Sequence, residues 1–181
     1  QFVAVGDFNR DGHQDLAVTG EGGVSILLGN GAGAFAAPVF YATGTGFAAQ
    51  VVAGDFNGDG RADLAVANGL ASNTVSILLG VGNGAFQPAV SYVVGPGPIA
   101  VAARDFNRDG KLDLAVASSG NLSILTGNGD GTFQPPTNYT IGSYPVSLAA
   151  SDLTADRKPD LAVATSPNIV SILTNTPNRR Q

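Results

Sequence analysis

Apolar residues along this chain come in short bursts, each bounded by Gly, Asn, Asp or Pro. Segments such as Leu64-Ala65-Val66 and Ile77-Leu78-Leu79 are apolar at consecutive positions. A strand built from them is apolar on both faces, and its sheet must be covered on both sides. No stretch keeps a 3.6-residue apolar period, so helices are not expected. Between residues 50 and 94 the pattern predicts four strands, roughly Gln50–Phe56, Asp63–Ala67, Thr74–Leu79 and Ala89–Val94.

The same pattern recurs along the chain. Asp-Leu-Ala-Val stands at 15–18, 63–66, 113–116 and 160–163, and Val/Leu-Ser-Ile-Leu at 24–27, 75–78, 122–125 and 170–173. A Gly-rich turn ends in Phe35, Phe86 and Phe133, and Tyr41, Tyr92 and Tyr139 follow at a constant interval. The period is about 48 residues, giving one domain of repeats at about 1–48, 49–98, 99–145 and 146–175. Four-stranded antiparallel sheets stacked against copies of themselves are the blades of an all-β β-propeller. Ala17, Ala65, Ala115 and Ala162 would let neighbouring blades approach closely, and the repeated phenylalanines (Phe8, Phe56, Phe106, Phe35, Phe86, Phe133) are expected in the core. The fourth repeat stops after its third strand, so fifteen strands, about 3.75 blades, are expected. A small four-bladed ring, two chains forming a larger ring, or a piece of a longer propeller would each satisfy this count. An open stack exposes an apolar blade face, which favours a fragment or a self-associating half.

Composition narrows the chemistry. The 181 residues are 44% hydrophobic and only 13% charged, with no cysteine and one histidine. Disorder, disulfides and thiolate metal sites are thereby excluded. A net charge of −5 argues against nucleic acid, and no apolar run approaches a membrane span. The start at Gln1 and the lack of a leader pattern suggest a mature or excised segment. Twelve of the 14 acidic residues fall in four clusters, one per repeat, so the acidity is local and repeated.

Those clusters read as calcium loops. The first is Asp7-Phe8-Asn9-Arg10-Asp11-Gly12-His13-Gln14-Asp15, and Asp55–Asp63 and Asp105–Asp113 share its D-F-N-x-D-G frame. Calcium takes six to eight oxygens. Candidate ligands are the side chains of Asp7, Asn9, Asp11 and Asp15; of Asp55, Asn57, Asp59 and Asp63; and of Asp105, Asn107, Asp109 and Asp113. The backbone carbonyls of His13, Arg61 and Lys111 would add one oxygen each. Without a cation, carboxylates this close would repel by up to about 4 kcal/mol per pair. The alternative is that Asp, Asn and Gly serve only as turn residues; three intact copies in phase favour metal. Zinc lacks its ligands here, and an EF-hand would need flanking helices and a glutamate where Val18, Val66 and Val116 stand. The fourth loop, with Asp152, Asp156 and Asp160, has Thr154 for asparagine, Arg157 for glycine and a stiff Pro159. Arg157 should resist a left-handed conformation, so a fourth site would be weaker.

The succession D-F-N-x-D-G-x-x-D, D-L-A-V, V-S-I-L-L-G and G-N-G-x-G-x-F resembles the FG-GAP/VCBS repeat over the whole chain. The resemblance implies an integrin-α-like propeller with Ca²⁺ in the loop joining strands one and two of each blade. It also implies ligand binding on the opposite face, here Thr43–Phe47, Gly95–Pro98, Gly142–Pro145, Thr19–Gly23, Asn68–Asn73 and Ser118–Asn121.

The function expected is a non-catalytic, calcium-binding recognition or adhesion module for a protein or glycan, with a calcium-rigidified structural spacer as the alternative. Phe47 and Tyr144 are the aromatics in these loops that could stack on a sugar, but the chain has no tryptophan. An enzyme fits poorly, because the one histidine, His13, lies in a calcium loop and a carboxylate pair would have to borrow metal ligands. Loops of monodentate aspartates bind calcium modestly, which points to an extracellular or cell-surface location.

Overall fold

The computed structural model describes residues 1–69, 72–142 and 144–176. Among them it holds thirteen strands and no helix. They are β1 (Val3–Gly6), β2 (Asp15–Leu27), β3 (Val39–Gly54), β4 (Asp63–Asn68), β5 (Thr74–Leu78), β6 (Val90–Val93), β7 (Ala100–Arg104), β8 (Asp113–Ser118), β9 (Asn121–Leu125), β10 (Thr137–Thr140), β11 (Pro145–Ser151), β12 (Asp160–Thr165) and β13 (Ile169–Leu173). All pairings are antiparallel between chain neighbours, in sheets β1 to β6, β7 to β10 and β11 to β13.

The count falls short of fifteen because two elements continue through expected turns. β2 joins strands two and three of the first blade, and β3 joins its fourth strand to the first strand of the second. The physical cause is a pairing between Glu21 and Phe47, which carries the ladder across both turns. Thr19–Gly23 and Thr43–Phe47, expected as ligand loops, are therefore extended strand. The strand expected to reach Phe56 ends at Gly54, because the Phe56 amide donates to the Asp63 side chain instead of the ladder. Asn68–Asn73 and Gly142–Pro145 lie partly outside the described residues, and Gly95–Pro98 is irregular as expected.

The alternation of each strand builds the joints between blades. In Asp63-Leu64-Ala65-Val66-Ala67, Leu64 and Val66 pack with Ala17, Val24 and Ile26 of the blade before. Ala65, Ala67, Val75 and Ile77 face the blade after, against Val101, Leu114, Val116 and Leu125. A third joint repeats this with Ala115, Ala117 and Leu122 against Leu148, Leu161 and Val163. Small alanines on one face thus receive leucine and valine from the next. Each fully buried aliphatic side chain contributes about 1.5–3 kcal/mol.

The innermost strands β1, β3, β7 and β11 pack side by side in that order, and no comparable packing joins β11 back to β1 among the described residues. The two terminal blades keep open faces: Val3 and Val5 on one, Val170 and Ile172 on the other. This arrangement is an open arc rather than a closed four-bladed ring. Phe35, expected in the core, is 45% exposed because no described residue packs outside it as Phe8 and Tyr41 pack on Phe86.

Candidate functional site

Each acidic loop joins the first two strands of a blade, and the four share one hydrogen-bond frame. Its ends are held by the ninth residue. Asp15 accepts the Phe8 amide at 2.7 Å on one oxygen and the Gly29 amide at 2.8 Å on the other. Asp63 does the same for Phe56 and Gly80, Asp113 for Phe106 and Gly127, and Asp160 for Leu153 and Asn175. All four are buried. They bracket the loop to the turn that follows strand three, and in the first three blades that turn needs glycine. A Cβ at Gly29, Gly80 or Gly127 would lie within 2.3 Å of a backbone oxygen.

The first aspartate nucleates the loop. Asp7 accepts the amides of Asp11 and Gly12, Asp55 those of Gly58, Asp59 and Gly60, Asp105 those of Arg108, Asp109 and Gly110, and Asp152 those of Asp156 and Arg157. The fifth residue accepts the amide two positions on, as in Asp11 with His13, Asp59 with Arg61, Asp109 with Lys111 and Asp156 with Lys158. In the first three loops the third-position Asn9, Asn57 and Asn107 bind the fifth aspartate through side chain and backbone. Left-handed backbone is needed twice per loop, at Arg10, Gly58, Arg108 and Ala155 and again at Gly12, Gly60, Gly110 and Arg157. Arg157 adopts the conformation it was expected to resist, at φ 66°, so the fourth loop keeps the frame with backbone strain that glycine would avoid.

The carboxylates differ in their surroundings. Hydrogen bonds from the His13 amide and then the Asn9 side chain hold Asp11 below the usual carboxylate range. Burial pushes Asp63 and Asp113 up, against the amides that pull them down. The Asn175 amide, followed by those of Leu153 and Thr154, leaves Asp160 lowered.

The donor set is all oxygen, as a hard divalent cation requires, and a carboxylate oxygen that accepts one amide keeps a second lone pair. The chemistry of the loops therefore fits Ca²⁺. Among the described residues, no three or more His, Cys, Asp and Glu side chains are gathered as a metal-holding group. The loop carboxylates face their own amides.

One feature escaped the spacing argument. The first two loops are each locked to the next blade's turn: the Phe8 carbonyl accepts the Gly84 amide at 2.9 Å, and the Phe56 carbonyl accepts the Gly131 amide at 3.0 Å. Phe86 packs edge-on against both Phe8 and Tyr41, and Phe133 against Phe56 and Tyr92, with centroids 5.5–5.7 Å apart. The Tyr41 and Tyr92 hydroxyls accept the amides of Phe86 and Phe133. The constant Phe-to-Tyr interval was the signal that could have found it.

With blades and loops described, the class is a β-propeller built of FG-GAP-like repeats. The FG-GAP-like repeat profile matches residues 7–66, 55–116 and 105–163, and the chain belongs to that family. No curated protein sequence matches it significantly. Among solved structures, it is similar to an Agrocybe aegerita lectin that recognises non-reducing terminal N-acetylglucosamine, at 21% identity and TM-score 0.61, covering 94% of this chain and 51% of that one. It is also similar to BBS1N, solved in complex with ARL6DN, at 17% identity and TM-score 0.62, covering 95% and 52%. A third similarity is to the Photorhabdus luminescens Tc holotoxin pore, at 17% and TM-score 0.55, covering 96% and 9%. The chain thus spans about half the length of the lectin and BBS1N, and at these identities the likeness is one of fold.

Proposed function

We propose that this chain is a calcium-binding, non-catalytic recognition module that works outside the cell and engages a glycan or protein. The observation that carries the reading is the recurrence of one oxygen-rich loop frame in all four blades, with its first, third and fifth side chains at or near the surface. The residues that would hold Ca²⁺ are Asp7, Asn9, Asp11, Asp15 and the His13 carbonyl, with their counterparts in loops two and three. Asp152, Asp156 and Asp160 would form a weaker fourth site. The bound ion would neutralise the clustered carboxylates and stiffen the loop, and with it the lock to the next blade. The propeller of the Agrocybe lectin makes glycans ending in N-acetylglucosamine the first ligands to try. The open terminal faces call for further blades, from a longer chain or a second copy.

Native mass spectrometry in calcium, paired with melting curves in Ca²⁺ and in excess EGTA, tests the metal. The expected result is three or four ions per chain and a clear fall in Tm on chelation, since calcium at about 100 times Kd stabilises by about 2.7 kcal/mol per site. No bound ion and coincident melting curves would refute it. A glycan array on the calcium-loaded protein tests recognition; silence there and in cell-binding assays would leave the spacer role.

A further inference from the structure

Two of the thirteen asparagines have serine or threonine two residues on, with no proline between: Asn121-Leu122-Ser123 and Asn138-Tyr139-Thr140. That spacing is the acceptor signature for N-linked glycosylation. Neither copy belongs to the repeat. Where blade three has Asn138-Tyr139-Thr140, blade one has Phe40-Tyr41-Ala42 and blade two Ser91-Tyr92-Val93. Asn121 likewise stands where those blades have Gly23 and Thr74.

The two asparagines face each other across β9 and β10, and one hydrogen-bond cluster fixes both. Asn138 lies on β10, the outermost strand of its sheet, and all of that strand is exposed. Its Oδ1 accepts the Ser123 hydroxyl at 2.8 Å and the Asn121 Nδ2 at 3.2 Å. Its own Nδ2 donates to nothing among the described residues. The carbonyl is thus spent on the sheet while the amide nitrogen stays free.

Asn121 is arranged the other way round. Its Nδ2 donates to Ser123 Oγ at 2.9 Å and to Asn138 Oδ1, which engages both N–H bonds that a side-chain amide has. The Gly95 backbone presses on the same nitrogen, since a Cβ there would lie 2.6 Å from it. A sugar on this Nδ2 would break a hydrogen bond and collide with the turn at Gly95.

We propose that Asn138 is a site of N-linked glycosylation and that Asn121 is not. The proposal rests on the extracellular reading, because the transfer takes place in a secretory compartment. The Asn138 Nδ2 forms a bond to the anomeric carbon of an oligosaccharide carried on a lipid diphosphate. The bond from that carbon to the diphosphate oxygen breaks with its electron pair, the lipid diphosphate leaves, and the Nδ2 proton passes to a base of the transferase. The product keeps Oδ1 and one N–H, so both hydrogen bonds that Asn138 accepts survive. The glycan covers the outer edge of blade three, a strand edge that proteins otherwise protect against pairing with other chains. A chain that received sugar at Asn121 before folding could not form the cluster, so secreted protein should carry none there.

The full chain, secreted from yeast behind a cleavable leader, provides the test. Mass spectrometry before and after peptide N-glycosidase, which turns a glycosylated asparagine into aspartate, reads occupancy and position. One oligosaccharide per chain is expected, at Asn138. Asn138→Gln and Thr140→Ala should each abolish it, while Asn121→Gln should leave it in place. Asn138 and Thr140 are exposed, so their variants should fold, which circular dichroism would check. An unmodified Asn138 in the secreted protein would overturn the proposal, as would a glycan at Asn121. If most of the chain stays inside the cell, the retained pool is read the same way, and an unmodified Asn138 there counts equally against it. The leader supplies the transit, so failure of the acceptor is distinct from failure of the extracellular reading, which fractionation of the source cells and their medium decides.

Discussion

Blades two and four carry nearly the same strands but sit in different surroundings. Val75 and Ile77 of the second blade are 0% and 2% exposed, whereas their counterparts Val170 and Ile172 in the fourth are 64% and 52% exposed. The residues are alike; the difference is the blade that packs outside them. An FG-GAP-like blade is therefore half of two joints, and its own sequence supplies the apolar face without supplying the burial. The same holds at the loops: Phe56 is buried under Phe133, while Phe106, its counterpart one blade on, is half-buried against a cavity.

The hardest test of this contrast is the buried bracket. Asp63→Ala removes the acceptor for two buried amides, Phe56 and Gly80, and each orphaned donor costs about 1–3 kcal/mol. We expect a loss of about 4 kcal/mol in urea denaturation. Asp160→Ala should lose about half of that, because Leu153 and Asn175 are at the open end where water can replace the carboxylate. Equal losses would mean the fourth blade is covered in solution.

Next in size are the aliphatic pairs. Ile77→Ala should cost about 3 kcal/mol through transfer and cavity terms, and Ile172→Ala less than about 1 kcal/mol. The comparison breaks if both cost the same. A cost for Ile172→Ala that grows with protein concentration would instead show a second copy on that face.

Much of this organisation could be read from the chain. The repeat period, the both-face apolar strands and the alanine positions fixed the blades and their joints, because packing between identical units writes the same letters each time. What could not be read depends on neighbours. Spacing grouped Asp15, Asp63, Asp113 and Asp160 with the exposed loop carboxylates, but it carries no record of depth, and their burial follows from the turns that approach them through Gly29, Gly80, Gly127 and Asn175. The pairing of Glu21 with Phe47 joins residues 26 apart with no repeated signature, so two supposed ligand loops became strand. Left-handed Arg10 and Arg108 were hidden because only the second loop has glycine at that place.

The smallest effect is in pH. Asp63, Asp113 and Asp160 are all buried and accept equivalent amides, yet the first two are raised above 3.8 by burial and the third is lowered by its hydrogen bonds. Surface exposure does not separate them; the depth of protein beyond them does, since among the described residues no blade stands outside the fourth. A raised folded-state pKa gives stability that is complete below 3.8 and lost as pH rises through the folded value. For Asp63 and Asp113, ionisation therefore works against the fold. A lowered pKa acts in the opposite sense: the contribution of Asp160 is present above 3.8 and disappears as pH falls through its folded value. Carbon-13 NMR of the aspartate carboxyls should find Asp63 and Asp113 titrating above 3.8 and Asp160 below it. If a covering blade or partner were added outside blade four, Asp160 should move up toward the other two. A common midpoint for all three in the isolated chain would show that the bracket feels only its own amides, and the contrast between inner and outer blades would then stop at the apolar faces.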